Sequence, residues 1–195
     1  KDFERALHYS PDDAESLELL ESVLSETKDA DSLLRLYREQ ADQAQSDEAR
    51  IGFLTKLADV QRTGKNDAVG AAATLREVLE VSPTHEPTLA ALDALLTQLE
   101  RWDDLADLLR QRIDQASGTP AETGLRYRLG ELLATKLDDK TSAIDTYEEI
   151  LRIAPTHAAT IGALPWAQVY VDGRVVAENR GRTDGRCRSR RGRGG

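Results

Sequence analysis

The chain has 195 residues, of which 39% are hydrophobic, 31% are charged and only 5% are aromatic. That hydrophobic share suffices for a folded core, and the scarcity of aromatic residues argues against an all-β protein. No apolar run reaches the roughly 20 residues that are needed to span a bilayer. The chain begins with Lys1 and contains no Met, so we expect it to be a fragment of a longer protein.

The net charge of -9 is unevenly distributed along the chain. Residues from Trp166 onward contain eight Arg and three acidic residues, so the strongly negative part is residues 1–165. An acidic surface repels phosphate, which makes nucleic-acid binding by these residues unfavourable. The single cysteine, Cys187, excludes an intrachain disulfide and a cysteine metal cluster. Both the cytoplasm and the periplasm remain open as compartments.

An ungapped repeat of 72 residues runs through the chain. The stretch VSPTH at 81–85 recurs as IAPTH at 153–157. Residues 10–81 placed on 82–153 give 21 identical positions, where about five are expected by chance. Most of the identities are apolar and recur at helical spacing, which predicts a buried leucine stripe on each helix.

Each 72-residue unit divides into four helical segments. The predicted segments are 13–27, 31–45, 48–62, 67–80, 85–99, 103–117, 121–136 and 140–153. Asp12, followed by Glu15, resembles a capping box, and Thr84 and Thr156 are expected to cap helices in the same register. Negative charge suits the exposed N–H groups at a helix start, and at the predicted starts it is supplied by Asp103, Asp104, Asp138 and Asp139.

These segments resemble tetratricopeptide (TPR) repeats, which are units of about 34 residues that each form an antiparallel helix pair. In the clearest unit, Leu129 and Gly130 resemble the Leu-Gly of the first helix. Ala143, Tyr147 and Pro155 resemble the small, aromatic and proline residues of the second helix and its end. The series of segments also resembles the repeat arrays of large multi-repeat bacterial proteins.

The TPR resemblance implies an all-α fold, a right-handed α-solenoid of antiparallel helix pairs over residues 1–164. This array would contain two ungapped 72-residue double repeats and a partial unit at each end. Apolar faces at the two ends would then be uncapped, which predicts fraying or end-to-end self-association.

The repeat pattern breaks at Pro165, because proline inside a helix removes a hydrogen bond and clashes with the preceding turn. Residues 168–176 alternate like a short hairpin around an Asp-Gly turn, and the remaining Arg-Gly-rich tail to 195 has a disordered composition. Three interpretations of 165–195 stay open. The first is a basic tail that binds RNA or acidic surfaces, the second is a self-association segment, and the third is an out-of-frame translation of GC-rich DNA.

Residues with catalytic or metal-binding chemistry lack their partners in this sequence. His85-Glu86 begins like a zinc-protease helix, but Leu89 stands where the second His is required. The stretch before Lys65 lacks the first glycine of a phosphate loop, and a helix-to-helix turn is the better interpretation. We therefore predict no catalytic residue, no cofactor and no metal site, and we expect that the protein is not an enzyme.

The TPR resemblance also implies that exposed positions of the first helices line a concave groove that binds a protein or peptide. On this chain those positions are Glu15, Glu18, Ser22, Thr55, Asp59, Arg62, Ala90, Ala94, Gln98, Tyr127 and Glu131. Their acidic excess predicts a basic or neutral ligand, with Tyr127 as an aromatic anchor. The alternatives to such a scaffold are an architectural spacer in a larger protein and a nucleic-acid adaptor that acts through residues 178–195.

Overall fold

A computed structural model describes residues 14–163 and the backbone of residues 168–171 and 174–178. In chain order this part forms α1 (Ala14–Glu26), α2 (Ala30–Gln43), α3 (Asp47–Gly64), α4 (Ala68–Val81), α5 (Glu86–Gln98), α6 (Trp102–Gln115), α7 (Pro120–Thr135), α8 (Lys140–Ile153), α9 (Ala158–Ala163), β1 (Gln168–Val171) and β2 (Arg174–Glu178). The first eight helices lie within two residues of the predicted segments. The all-α prediction is therefore confirmed over residues 14–163.

The chain divides into two compact units, Lys1–Leu105 and Ala106–Gly195, and the boundary falls inside α6. In unit 1, α1 packs on α2, α3 packs between α2 and α4, and α4 packs on α5. In unit 2, α7 packs on α8, α8 packs on α9, and β1 pairs antiparallel with β2. Within each unit the helices thus pack on their neighbours in sequence, as helical repeats do.

The 72-residue repeat of the sequence is also a repeat of the backbone. Lys28 and Glu100, which are 72 residues apart, have φ angles of 55° and 54°. Asn66 and Asp138, also 72 residues apart, have φ angles of 53° and 51°. Residues other than glycine rarely adopt this left-handed conformation. Its recurrence at equivalent turns, with different side chains, shows that equivalent segments of the two copies fold alike.

Short polar side chains fix the starts of four helices. Asp29, Ser46, Asp67 and Asp139 are the N-caps of α2, α3, α4 and α8. Each side chain accepts a hydrogen bond from the backbone N–H three residues later. These bonds satisfy donors that the first helical turn leaves unpaired, and of the four caps Asp139 is the one that the sequence places at a helix start.

The start of α5 corrects the predicted cap at Thr84. The N-cap is His85, one residue later, and Thr84 is exposed. The His85 Nδ1 atom lies 2.7 Å from the hydroxyl of Thr88, which is buried. The histidine ring therefore pairs with a first-turn hydroxyl where a threonine cap would have bonded to the backbone.

The start of α9 corrects the prediction for Thr156 in the same way. The carbonyl of His157 accepts the first helical hydrogen bond, and its Nδ1 atom lies 2.8 Å from the hydroxyl of buried Thr160. The predicted role of both histidines, in the turn or first turn of a helix, is confirmed. α9 is six residues long and ends two residues before Pro165.

The predicted leucine stripes form the core of unit 1. Leu33 and Tyr37 of α2 pack with Leu54 and Leu57 of α3 and with Val78 of α4. Burying a side chain of this size stabilises the folded state by roughly 1.5–3 kcal/mol. Because each helix buries one stripe, its opposite side remains available to solvent or to a partner.

Three predictions fall on residues outside the described part of the chain. The partial N-terminal unit with its Asp12 capping box, the boundary between 164 and 165, and the Arg-rich segment 179–195 belong to this group. β1 and β2 correspond to the alternating segment 168–176, and their register shifts between Val169 and Tyr170.

Candidate functional site

Ten of the eleven predicted partner-binding residues are exposed in the structure. α1, α3 and α5 of unit 1 contribute Glu15, Glu18, Ser22, Thr55, Asp59, Arg62, Ala90, Ala94 and Gln98. We call these nine residues the first-helix face. α1 shows why they point outward, because Leu17, Leu20 and Leu24 turn toward Leu36 of α2.

An ion pair joins α1 to α3 beside the first-helix face. The ammonium group of Lys56 donates to the two carboxylate oxygens of Glu21 at 2.7 and 3.0 Å. The same ammonium lies 5.5 Å from the ring centroid of Tyr37 and 5.8 Å from that of Phe53. Cations are attracted to aromatic faces at such distances. Lys56 is thus held between α1 and the aromatic residues below it.

Neither Glu21 nor Lys56 is among the predicted partner-binding residues, although the sequence contains a signal for them. In the TPR motif, Glu21 stands where α3 has Ala58 and α7 has Gly130, and its 72-residue counterpart in α5 is another carboxylate, Asp93. A partly buried carboxylate at a position where the motif has a small residue needs a cation close by. Lys56 supplies that cation, but only the packing of α1 beside α3 identifies it.

Asp59 and Arg62 of the first-helix face pair with each other. Arg62 Nη2 donates to Asp59 Oδ1 at 2.6 Å, and both side chains are more than half exposed. Their charges cancel locally. Glu15 and Glu18, by contrast, have no ion pair among the residues that the structure describes. The negative charge of the face is therefore concentrated on α1.

The hydroxyl of Tyr37 lies close to these charges. Burial raises the pKa of Tyr37 to about 12, and the negative charges of Glu21 and Asp59 act in the same direction. The phenol is therefore neutral at physiological pH. It offers a hydrogen-bond donor and no negative charge beneath the first-helix face.

Tyr127 and Glu131 belong to unit 2, on α7. The Tyr127 ring is half-buried, with its centroid 5.9 Å from that of Tyr147 and 5.8 Å from that of His157. Burial, followed by a hydrogen bond with Glu131, raises the pKa of Tyr127. One side of the ring is therefore occupied inside its own unit, and the role of Tyr127 as an anchor stays a prediction.

Apolar side chains are exposed on α1 and on α8, and self-association through such surfaces stays a prediction. Leu19 and Val23 of α1 are 45% and 48% exposed, and Ile144 of α8 is 42% exposed. The repeat counterparts of Val23 and Ile144 are Leu95 and Ala72, which are buried. Apolar positions that are covered in one copy are therefore uncovered in the other.

The described residues contain no group of three or more His, Cys, Asp or Glu side chains that could hold a metal ion. In the same part of the chain, no helix combines the length and the apolar character that a membrane crossing needs. The sequence between Thr63 and Asn66, considered above as a phosphate loop, ends α3 and forms the turn into α4.

No family model matches the sequence, and no curated protein matches it. Several solved structures are similar to it. MamA (41-end) from Desulfovibrio magneticus RS-1 is 17% identical, with 78% of this chain and 82% of that chain covered and a TM-score of 0.43. TTC0263, a thermophilic TPR protein of Thermus thermophilus, is 21% identical, with 81% and 82% covered and a TM-score of 0.38. YrrB, described as a TPR protein with an unusual peptide-binding site, is 14% identical, with 84% and 97% covered and a TM-score of 0.39.

The fold itself has the features that the TPR resemblance implied. Each 72-residue copy contains four helices, that is, two helices for about every 36 residues. Gly130 of the first helix in a pair lies against the ring of Tyr147 of the second, as the small and aromatic positions of the motif require. The chain is therefore a helical-repeat protein with a TPR-like fold.

Proposed function

We propose that the protein is a non-catalytic interaction scaffold whose first-helix face holds a basic or neutral peptide or protein segment. The observation that carries this proposal is the exposure of all nine residues of the face, above a buried leucine stripe that fixes their direction. A rigid helical surface with outward polar side chains suits recognition, because little order has to be created on binding.

The charges of the first-helix face favour a basic segment over α1. Glu15 and Glu18 are one helical turn apart and have no ion pair in the described residues, whereas Asp59 is balanced by Arg62. Ala90, Ala94 and Gln98 of α5 are uncharged. A ligand that combines a cationic part with a neutral part therefore matches this surface.

The hydroxyl groups of α3 support recognition without catalysis. Thr55 donates to the carbonyl of Ile51 and Thr63 donates to the carbonyl of Asp59, both at 2.7 Å. A nucleophilic hydroxyl needs a base within hydrogen-bond reach, and here the backbone takes up each hydroxyl proton. We therefore expect binding without turnover.

The test compares two fluorescent peptides of equal length, one alternating Lys with Ala and one alternating Glu with Ala. We expect tighter binding of the Lys peptide by fluorescence anisotropy and a loss of affinity with added salt. The double substitution E15K/E18K should weaken binding of the Lys peptide about tenfold.

Glu80 of α4 supplies the matched control, because it is exposed and lies outside the first-helix face. The substitution E80K changes the net charge in the same sense and should leave the affinity almost unchanged. Because E80K reverses one charge, it is compared with E15K alone and with E18K alone. Equal weakening by E80K and by either of these two variants, or equal binding of the two peptides, would overturn the proposal.

A further inference from the structure

A second surface feature of unit 1 lies outside the first-helix face. An open, groove-like cavity of about 340 Å³ lies between α2 and α3. Its lining consists of Leu34, Arg35, Arg38, Glu39, Leu57 and Gln61. None of these six residues belongs to the first-helix face, so its occupant and the peptide considered above need not compete for the same side chains.

The floor and one wall of this α2–α3 cavity are held in place. Leu57 is 3% exposed and belongs to the core of unit 1. Gln61 Oε1 accepts a hydrogen bond from the hydroxyl of Thr74 at 2.8 Å, which leaves the amide N–H₂ of Gln61 as a donor. The cavity thus has an apolar base beside a fixed polar group.

Arg38 is not available to a ligand as a free charge. Its two terminal nitrogens donate to the two carboxylate oxygens of Glu77 on α4, at 2.6 and 3.0 Å. Such a two-bond pair is geometrically defined and locally neutral. Arg38 therefore shapes the cavity wall and leaves recognition of charge to other residues.

Arg35 and Glu39 supply one positive and one negative group beside the cavity. They are four residues apart on α2, a spacing at which opposite charges usually attract each other. Within the described chain, however, neither forms an ion pair, and the only hydrogen bond of the Arg35 guanidinium goes to the Ser32 hydroxyl at 3.1 Å. Neither charge at the rim of the cavity is therefore taken up by an ion pair, although Arg35 also interacts electrostatically with Asp29.

We propose that the α2–α3 cavity binds a free apolar amino acid in its zwitterionic form. The side chain would rest on Leu34 and Leu57, the carboxylate would meet Arg35, and the ammonium group would meet Glu39. Ligand pockets usually range from about 300 to 1,000 Å³, so a cavity of this size suits a molecule of leucine size better than a folded partner. The site adds a ligand that the proposed scaffold function does not include.

The second copy of the repeat provides an internal comparison. The counterparts of Leu34, Arg35 and Gln61 are Ala106, Asp107 and Leu133. Asp107 pairs with Arg110 at 2.8 Å, so the corresponding stretch of α6 offers no free cation at that position. The proposal therefore assigns the amino-acid site to the first copy alone.

The test is a titration of the whole chain with L-leucine, followed by ¹⁵N–¹H correlation spectra. We expect amide shifts at residues 34–39 and 57–61 and none at their counterparts 106–111 and 129–133. Glycine, which lacks the apolar side chain, should bind at least about fivefold more weakly. Absence of leucine-dependent shifts at 34–39 and 57–61 would overturn the proposal.

Two substitutions assign the charges to their partners. R35Q should weaken leucine binding at least about fivefold and leave binding of L-leucinamide, which lacks the carboxylate, unchanged. E39Q should weaken leucine binding similarly and leave binding of N-acetyl-L-leucine, which lacks the ammonium group, unchanged. R110Q in the second copy is the matched control and should have no effect. Equal effects of all three substitutions on all probes would refute the assignment.

Discussion

The ring of Tyr147 occupies the space in which a Cβ atom on Gly130 would lie. Both residues are buried, Gly130 on α7 and Tyr147 on α8. In the first copy the same two positions hold Ala58 and Leu75. The first copy thus has alanine in place of glycine on the first helix and leucine in place of tyrosine on the second. The summed side-chain volume of the pair is therefore similar in the two copies.

The substitution Gly130→Ala should destabilise the protein by about 1–3 kcal/mol, because the new methyl group would overpack against Tyr147. The loss should appear in the free energy of unfolding measured with urea. Alanine normally stabilises a helix by about 1 kcal/mol relative to glycine, so the expected sign is the reverse of the intrinsic preference.

Gly124, also on α7, is the matched control. A Cβ atom on Gly124 would have no atom within 4 Å, so Gly124→Ala should stabilise the protein by about 0.5–1 kcal/mol. The double substitution G130A/Y147L, which recreates the pair of the first copy, should recover part of the loss. Stabilisation by G130A equal to that by G124A would contradict this account of the packing.

The helices could be predicted closely from the sequence, and the reason is visible in single residues. Leu89, Leu92 and Leu96 repeat at the helical period and are all buried. The cap at Thr84 was wrong by one residue, because threonine is the better N-cap by preference, whereas here His85 takes that position and pairs with Thr88 three residues later. The sequence pattern shows the helical period of the buried residues, but it does not show which side chain each residue contacts.

The exposure of the first-helix face was predictable for the same reason, whereas its charge pairs were not. Glu21 and Lys56 are 35 residues apart and meet only because α1 packs beside α3. Gln61 and Glu39 of the cavity carry no motif that a sequence search would select. Identical residues can also find different partners in the two copies, as Arg38 and its counterpart Arg110 show.

Arg38 and Glu77 should show measurable coupling in a double-mutant cycle. The pair links α2 to α4 through two hydrogen bonds but remains about one-third exposed, so we expect a coupling free energy of about 0.5–1 kcal/mol. The measurement uses urea unfolding of R38Q, E77Q and the double variant.

Arg110 and Glu149 are the same two residue types at the same two positions of the second copy. Arg110 pairs with Asp107, and Glu149 pairs with Arg126. The corresponding cycle should therefore give a coupling free energy below about 0.3 kcal/mol. Equal coupling in the two copies would show that the 72-residue repeat, and not the local neighbours, determines the pairing.

Glu77 and Glu122 should make stability depend on pH in the acidic range. The Arg38 hydrogen bond lowers the pKa of Glu77, and the backbone N–H of Gly118, followed by Arg126, lowers the pKa of Glu122. A carboxylate whose pKa is lower in the folded state stabilises that state above its unfolded pKa of about 4.3, and this stabilisation disappears as the pH falls through the folded value.

The difference in unfolding free energy between the wild type and E122Q should therefore be constant from pH 7 to about pH 5 and shrink below that. E77Q should behave similarly, by a smaller margin. E80Q removes an exposed carboxylate that has no hydrogen bond in the described part of the chain, and it provides the control. A wild-type advantage over E122Q that grows as the pH falls would show that the sign is wrong.

Thr88→Val should destabilise α5 and with it unit 1, because the substitution keeps the volume but removes the hydroxyl that meets His85 Nδ1. Thr88 is 2% exposed and His85 is half-buried, so water does not readily replace the lost partner, and we expect a cost of about 1–2 kcal/mol in thermal or urea unfolding. Thr55→Val on α3 also removes a hydrogen-bonded hydroxyl, but an exposed one, and should change stability by less than about 0.5 kcal/mol.

Because Thr160 and His157 repeat the contact, T160V should affect the start of α9 in the same direction. A T88V protein as stable as T55V would mean that the histidine and threonine are neighbours without energetic consequence, and that the helix start is fixed by the turn alone.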